Sequence, residues 1–319
     1  MLLPLFALSG GAWGAANPES VYPSKPITIV VPYPPGGQGD VMARLVGERL
    51  GTAWKQPVIV ENRPGASAVI GTKRVVEAAP DGYTLLMGQT GEIAVNASVI
   101  RQPGYDPTSD LEPVVLVANA PLLLAAPATA GFSDLAGLLK HAKSRPGKIS
   151  YASTGNATPG RLASAALALA AGVELLNVPY KSAGQVMTDL LGNHIDLFFV
   201  STSAFRPHVE SGKLRPVAVA TLERLSAFPD TPTIAEQVQP GFSYTLWAGL
   251  FAPKGTPAAV IERINHEVNR IMAQPDIRER LDTDGSAVAA NSPQEFAQFV
   301  KKEISKYSDL VRATGIQAE

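Results

Sequence analysis

The 319-residue sequence contains no cysteine, which excludes disulfides, thiolate metal ligands, a cysteine nucleophile and the lipidated cysteine of a lipoprotein. Neither sign of charge is in excess. With 27 Lys and Arg against 28 Asp and Glu, the chain has neither the basic balance of a general nucleic-acid binder nor the composition of an acidic solvating chain. Histidine is scarce: His141, His194, His208 and His266 lie far apart without metal-ligand spacing, and His266-Glu267 lacks the second His of a zincin. No metal and no cofactor are expected. Long apolar runs are missing too, since the stretch from Val114 to Gly131 is interrupted by Asn119, Pro121 and Pro127, and lipid would leave its broken backbone hydrogen bonds unsatisfied.

What is present suits a globular chain. Hydrophobic residues make up 45% and charged residues 17%, with 28 glycines and 27 prolines for turns and loops. At about 100–200 residues per domain the length predicts two lobes. Residues 1–16, MLLPLFALSGGAWGAA, form a short apolar stretch that ends in small residues at Gly14-Ala15-Ala16. It reads as a secretory signal, although no Lys or Arg precedes its apolar core. The mature product is expected to be exported to the periplasm and, without a cysteine to lipidate, freely soluble there.

Residues Ile27 to Val31 are a β-branched run suited to a strand buried on both faces. The loop Tyr33-Pro34-Pro35-Gly36-Gly37-Gln38-Gly39 follows, and Asp40 is expected as the N-cap of a helix whose Met42, Leu45, Val46 and Leu50 form one apolar stripe. The unit recurs with a strand at Val58 to Val60 and a helix from about Ser67, then a strand at Tyr83 to Met87 and a helix after Thr90-Gly91. The segment Pro113 to Ala126 reads as a strand long enough to cross between lobes. Beyond it the pattern restarts: strand Ile149 to Ala152, loop 153–157, then Thr158 as N-cap with Pro159 at the first helical position. Strands near Leu175 to Val178 and at Ile195 to Val200 follow, with a helix opened by Ser182 and Gln185 between them. Alternating strands and helices predict two doubly wound α/β lobes. A strand at Tyr244 to Ala252 returns the chain to the first lobe, and helices from Thr256-Pro257 and Ser292-Pro293-Gln294-Glu295 cover it. Lobe 1 is therefore expected over 23–121 and 246–319, lobe 2 over 122–245, with two chain crossings as a hinge.

Motifs for covalent chemistry fail on inspection. Gly37-x-Gly39 between a strand and a helix suggests a dinucleotide fingerprint, but the third small position is Met42, and no Gly-Lys-Ser/Thr follows any glycine run. Gly65-Ala66-Ser67-Ala68-Val69 departs from a nucleophile elbow at Val69, and its serine reads as a helix N-cap. What recurs at the predicted strand-to-helix loops is a set of small, neutral hydrogen-bonding residues: Gly36, Gly37 and Gln38, flanked by Tyr33 and Asp40; Gln89, Thr90 and Gly91; Ser153, Thr154, Gly155, Asn156 and Thr158; Ser201, Thr202 and Ser203. Open α/β sheets bind ligands at these carboxyl ends. Two helix N-termini facing each other hold a carboxylate without a cation, through their unpaired N–H groups and partial positive charge.

The stretch Tyr22-Pro23-x-Lys25-Pro26-Ile27-Thr28-Ile29-Val30-Val31-Pro32-Tyr33-Pro34-Pro35-Gly36-Gly37-x-x-Asp40, with Val60-Glu61-Asn62-Arg63-Pro64-Gly65-Ala66, Pro80-Asp81-Gly82-Tyr83, Tyr151-Ala152-Ser153, Val178-Pro179-Tyr180-Lys181 and Trp247-x-Gly249-Leu250-Phe251-Ala252-Pro253, resembles the Bug (TctC) family. These are extracytoplasmic solute receptors of tripartite tricarboxylate transporters. The resemblance implies a type II periplasmic-binding-protein fold with two α/β lobes around a cleft. It also implies an organic-acid ligand, one of whose carboxylates is held by the 33–40 and 153–158 loops, partly through water. Aliphatic di- and tricarboxylates, acidic amino acids and aromatic carboxylates are the ligand classes it implies. The expected partners are that small acid and the membrane subunits of a tripartite transporter, with no nucleic acid, and the protein is expected to be a monomer and not an enzyme. Three positions depart from the family pattern: Gly39 where Thr is common, Val200-Ser201 where Asp-Asn is usual, and Arg206 at a usually apolar position, on a solvated helix face or against a second ligand carboxylate. Trp247 is expected to line the cleft or the hinge strand. The alternatives are a receptor that signals to a membrane sensor and, remotely, an α/β hydrolase using Ser67 or Ser153.

Overall fold

The computed structural model describes residues 22–316 apart from 156, 284 and 287; the signal-like segment 1–16 and Asn156 lie outside the described residues. The buried run β1 (Ile27–Val31) is followed by α1 (Gln38–Trp54), which lays Met42, Ala43, Val46 and Leu50 on the sheet. Next come β2 (Val58–Asn62), α2 (Val69–Val76) and β3 (Thr84–Gln89). A π-helical turn (Gly91–Val95) and the short α3 (Asn96–Val99) lead to β4, a 17-residue strand at Leu111–Pro127. The second half contains α4 (Leu135–Ser144), β5 (Ser150–Ser153), α5 (Pro159–Ala171), β6 (Leu176–Pro179), α6 (Ala183–Leu191), β7 (Leu197–Ser201), α7 (Thr202–Glu210), β8 (Leu214–Val219) and α8 (Ile234–Gln237). The chain returns through β9 (Thr245–Pro253) to α9 (Ala258–Met272), α10 (Pro275–Thr283) and α11 (Pro293–Thr314).

Two halves share one strand. In the first the order is β2-β1-β3-β9-β4, and in the second it is β6-β5-β7-β4-β8. Strands β1, β2 and β3 run parallel, as do β5, β6 and β7. The fourth place in each half is taken by a crossing strand, antiparallel to its neighbours. From Leu111 to Pro121, β4 pairs with β9; from Leu122 onward it pairs with β7 and β8. This is the fold of two doubly wound α/β lobes with the expected alternation, and both crossings lie side by side, where Pro121 pairs with Thr245.

Helix α9 buries Val260, Ile261, Ile264, Val268 and Ile271, the stripe read from the sequence. Helix α11, opened by a complete Ser292/Glu295 capping box, packs against β4 and the π-helical turn but also against α5 of the second half. One apolar cluster therefore runs from Leu86 and Trp247 through Phe296 to Leu162 and Leu197. Elements α4, β8, α8 and α10 have no counterpart in the sequence reading, although α4 buries Leu135, Leu138 and Ala142 at helical spacing.

Two capping assignments need correction. The N-cap of α1 is Gly37, so Asp40 is the third residue of the helix and reaches back to the loop instead of capping in the usual sense. Helix α2 begins after Ala68, and Ser67 is not its cap; Ala66, Ser67 and Ala68 all have positive φ, of 47°, 53° and 74°. Three consecutive left-handed non-glycine residues mark a strained loop. Its shape is held from below by Asn96, whose Nδ2 donates to the Ser67 carbonyl at 2.8 Å.

Candidate ligand-binding cleft

The loop after β1 leaves the N-terminus of α1 without a side-chain cap, so its first N–H groups are free to meet a ligand. Asp40 fixes the loop that precedes them. Its carboxylate accepts from the Gly36 N–H at 2.9 Å, from Arg44 Nε at 3.1 Å and from Asn62 Nδ2 at 2.9 Å, and pairs with Arg44 Nη2 at 2.9 Å. Asn62 also donates to the Tyr33 carbonyl. The Arg44 hydrogen bond, helped by Gly36 and Asn62, holds the Asp40 carboxyl down at about 2. With its oxygens so engaged, Asp40 orders the loop that precedes the α1 N-terminus.

Beneath that loop lies Glu92, a fully buried carboxyl in the π-helical turn. It accepts from the Tyr33 hydroxyl at 2.7 Å and from the Gln89 N–H at 2.6 Å, while the Tyr105 hydroxyl donates to its backbone carbonyl at 2.7 Å. Burial pushes the Glu92 carboxyl up to about 7, against the lowering effect of the Tyr33 and Gln89 hydrogen bonds. Burial and the Glu92 charge likewise drive Tyr33 well above the usual phenol range. The group ties the end of β3 to the loop after β1.

Gly39 has a packing reason. A Cβ there would lie 2.7 Å from Cδ and Nε2 of Gln89, so the Gln89 amide fills the space beside α1 that a larger residue at 39 would occupy. Gln38 leads into the same helix, and its Oε1 is buried without a hydrogen-bond partner.

Opposite stands the second half. Thr158 caps α5 and Pro159 opens it, but the Thr158 hydroxyl donates to the Gly155 carbonyl, leaving the helix N–H groups uncapped by a side chain. Ser153, at the end of β5, is buried, and its Oγ has no hydrogen-bond partner. With Thr154, Thr158, Arg161 and Ser201 it lines a cavity of about 260 Å³ whose remaining wall includes Leu122, Phe198, Val200 and Leu246. A second cavity of about 610 Å³ separates the Ala66–Val69 loop of the first half from Gly155, Ala157, Tyr180 and Lys181 of the second. The two predicted loops approach each other at Gly91, where a Cβ would be 2.6 Å from the Tyr33 hydroxyl and 3.6 Å from the Ala157 carbonyl.

Of the predicted residues, Tyr33, Gly36, Gly37, Gln38, Asp40 and Gln89 come together at the ends of β1 and β3 in the first half, and Ser153, Thr154, Thr158 and Ser201 line the 260 Å³ cavity of the second. Thr90 and Trp247 do not face the cleft. Thr90 is fully buried, and its hydroxyl accepts the Trp247 N–H at 3.0 Å. Trp247 has no exposed surface; it packs among Phe251, Phe296 and Phe299 and donates Nε1 to Glu303 at 3.1 Å. It anchors the crossing strand β9 to α11. Arg206 pairs with Glu210 at 3.0 Å on an exposed face of α7. The sequence reading missed Arg44, Asn62, Glu92 and Arg161; a lone Glu in the apolar run Gly91–Val95 is the one local signal that flags Glu92. Among the described residues no group of His, Asp and Glu is arranged to hold a metal, and no helix is long and apolar enough to cross a membrane.

Residues 42–316 match the tripartite tricarboxylate transporter family receptor, TctC. The chain is 33% identical over 317 residues to protein BugT of Bordetella pertussis, covering 98% of this chain and 97% of that one. Among solved structures it is similar to Rpa4515 of R. palustris with adipate (32% identity, TM-score 0.84, 93% of this chain and 99% of that one). It is also similar to MatC from Rhodopseudomonas palustris with bound malate (31% identity, TM-score 0.79, 91% and 100%). A mixed α/β chain whose two halves share one strand thus has the fold of these proteins, and it belongs to the TctC, or Bug, family of periplasmic solute-binding receptors.

Proposed function

We propose that this protein is a soluble periplasmic receptor that captures a small organic acid between lobe 1 (23–121 and 246–319) and lobe 2 (122–245) and delivers it to the membrane subunits of a tripartite transporter. The observations that carry the reading are the two helix N-termini without side-chain caps, α1 and α5, whose leading loops approach each other at Gly91, and the buried Ser153 Oγ left without a partner. A buried hydroxyl lacking its hydrogen bond costs about 1–3 kcal/mol, and a carboxylate oxygen supplies the missing acceptor. The relatives with adipate and malate support an acid as ligand. Binding closes the lobes because contacts made by both favour the closed state over the open one, and the hinge lies where Pro121 pairs with Thr245. The receptor performs no covalent chemistry in this reading.

The test is thermal melting of protein freed of ligand by unfolding and refolding, against succinate, malate, citrate, adipate, aspartate, glutamate, nicotinate, benzoate and terephthalate. An acid at 100 times its dissociation constant adds about 2.7 kcal/mol, on the order of 4 °C for a chain of this size. A selective shift with one class of acid is expected; a flat response across the whole panel would refute carboxylate capture.

A further inference from the structure

Arg161, third residue of α5, is the one arginine in the described structure whose Nε and Nη1 are both buried without a hydrogen-bond partner. The residue as a whole is half-buried, but buried guanidinium donors left without an acceptor are costly. Among the described residues no ion pair includes Arg161. Its position in the first turn of α5 adds the positive end of a helix to its own charge. Its charge acts on the Tyr151 hydroxyl, which burial nonetheless pushes above the usual range. The residue borders two spaces, the 260 Å³ cavity beside Ser153 and a groove of about 730 Å³ between α5 and the end of α11. Gly160 lets this turn of helix sit against β7, since a Cβ there would be 3.0 Å from the Phe199 carbonyl. Helical side chains lean toward the N-terminus of their helix, which at α5 is the cleft end.

We infer that Arg161 is a carboxylate-recognition residue that gives the receptor its preference for acids carrying a second carboxylate. The inference rests on the receptor reading above and deepens it. One carboxylate meets the uncapped helix N-termini and Ser153; the other neutralises the guanidinium, and the apolar wall of Leu122, Phe198, Val200 and Leu246 receives the carbon skeleton between them. An acid with a single carboxylate leaves the cation unpaired.

The experiment compares wild type with Arg161→Gln and Arg161→Met, freed of ligand by refolding. Matched acids are titrated: succinate, adipate and terephthalate against butyrate, hexanoate and 4-methylbenzoate. In the wild type at least one diacid is expected to bind 30-fold or more tighter than its monoacid, equivalent to about 2 kcal/mol. In Arg161→Gln that preference falls below threefold while the monoacid affinity is retained. Without ligand, Arg161→Met is expected to melt at or above the wild-type temperature, because it removes buried guanidinium donors left without an acceptor; a lower melting temperature would show a structural partner and overturn the inference. An unchanged preference in Arg161→Gln also overturns it but leaves the receptor reading intact. A wild type that binds no acid in either series removes both. Stabilisation by acetate alone that disappears in Arg161→Gln, without any diacid preference, would assign the guanidinium to a separate small anion entering by the α5–α11 groove and overturn the inference.

Discussion

Replacing Asp40 by Ala tests how the cleft is ordered before ligand arrives. The carboxylate holds the Gly36 N–H, Asn62 and both reachable nitrogens of Arg44, and its folded-state pKa of about 2 lies below the ordinary 3.8. That depression converts to about 2 kcal/mol of stability at neutral pH. Arg44 is 54% exposed, so solvent screens its share and about 1–2 kcal/mol is the expected loss. For a chain of this length the melting temperature falls by about 1.5–3 °C. The sign with pH follows from the depressed value. The contribution is complete above the unfolded carboxylate pKa near 3.9 and disappears as pH falls from there toward 2. Urea unfolding at pH 7, 5 and 3 should therefore give a constant gap between wild type and Asp40→Ala at the first two and a smaller one at the third. Asp40→Asn, which keeps the shape but not the charge, should fall between them. Identical stability at pH 7, or a gap that does not shrink at pH 3, would refute the assignment of this network as the force that fixes the loop.

Glu92→Gln should flatten the pH dependence of stability. The raised pKa of about 7 means the folded protein holds a proton that the unfolded chain releases near 4.5, so wild type loses stability as pH rises from 4.5 to 7. The neutral variant lacks that loss, and melting at pH 5 and 8 measures the difference; parallel curves would contradict it. Gly37→Val should abolish acid binding by obstructing the α1 N-terminus while leaving the fold intact, since a Cβ at Gly37 meets no atom within 4 Å. Calorimetric titration with the best acid of the panel checks the first outcome and thermal melting the second, and unchanged affinity places the ligand elsewhere.

What the sequence by itself determined is the local grammar. The β-branched run at Ile27–Val31, the stripe in α9, the Ser292/Glu295 box and the polar, glycine-rich strand ends are short-range features whose physics lies within a few residues. They were enough to predict two α/β lobes, the crossing segment of β4 and the two loops that face each other. Only the tertiary structure decided the electrostatics. Asp40 looks like a helix cap until Arg44 and Asn62 converge on it. Trp247 reads from sequence as a residue of the cleft or of the hinge strand, and the enclosure by Phe296, Phe299 and Glu303 of α11 leaves it on the crossing strand β9. Glu92 and Arg161 are ordinary charged letters in sequence, yet burial pushes the carboxyl up to about 7 and leaves two guanidinium nitrogens without a partner. The reason is that desolvation and unpaired charge depend on which distant elements close over a group, and residues 59 apart, such as Tyr33 and Glu92, meet only once the sheet has formed.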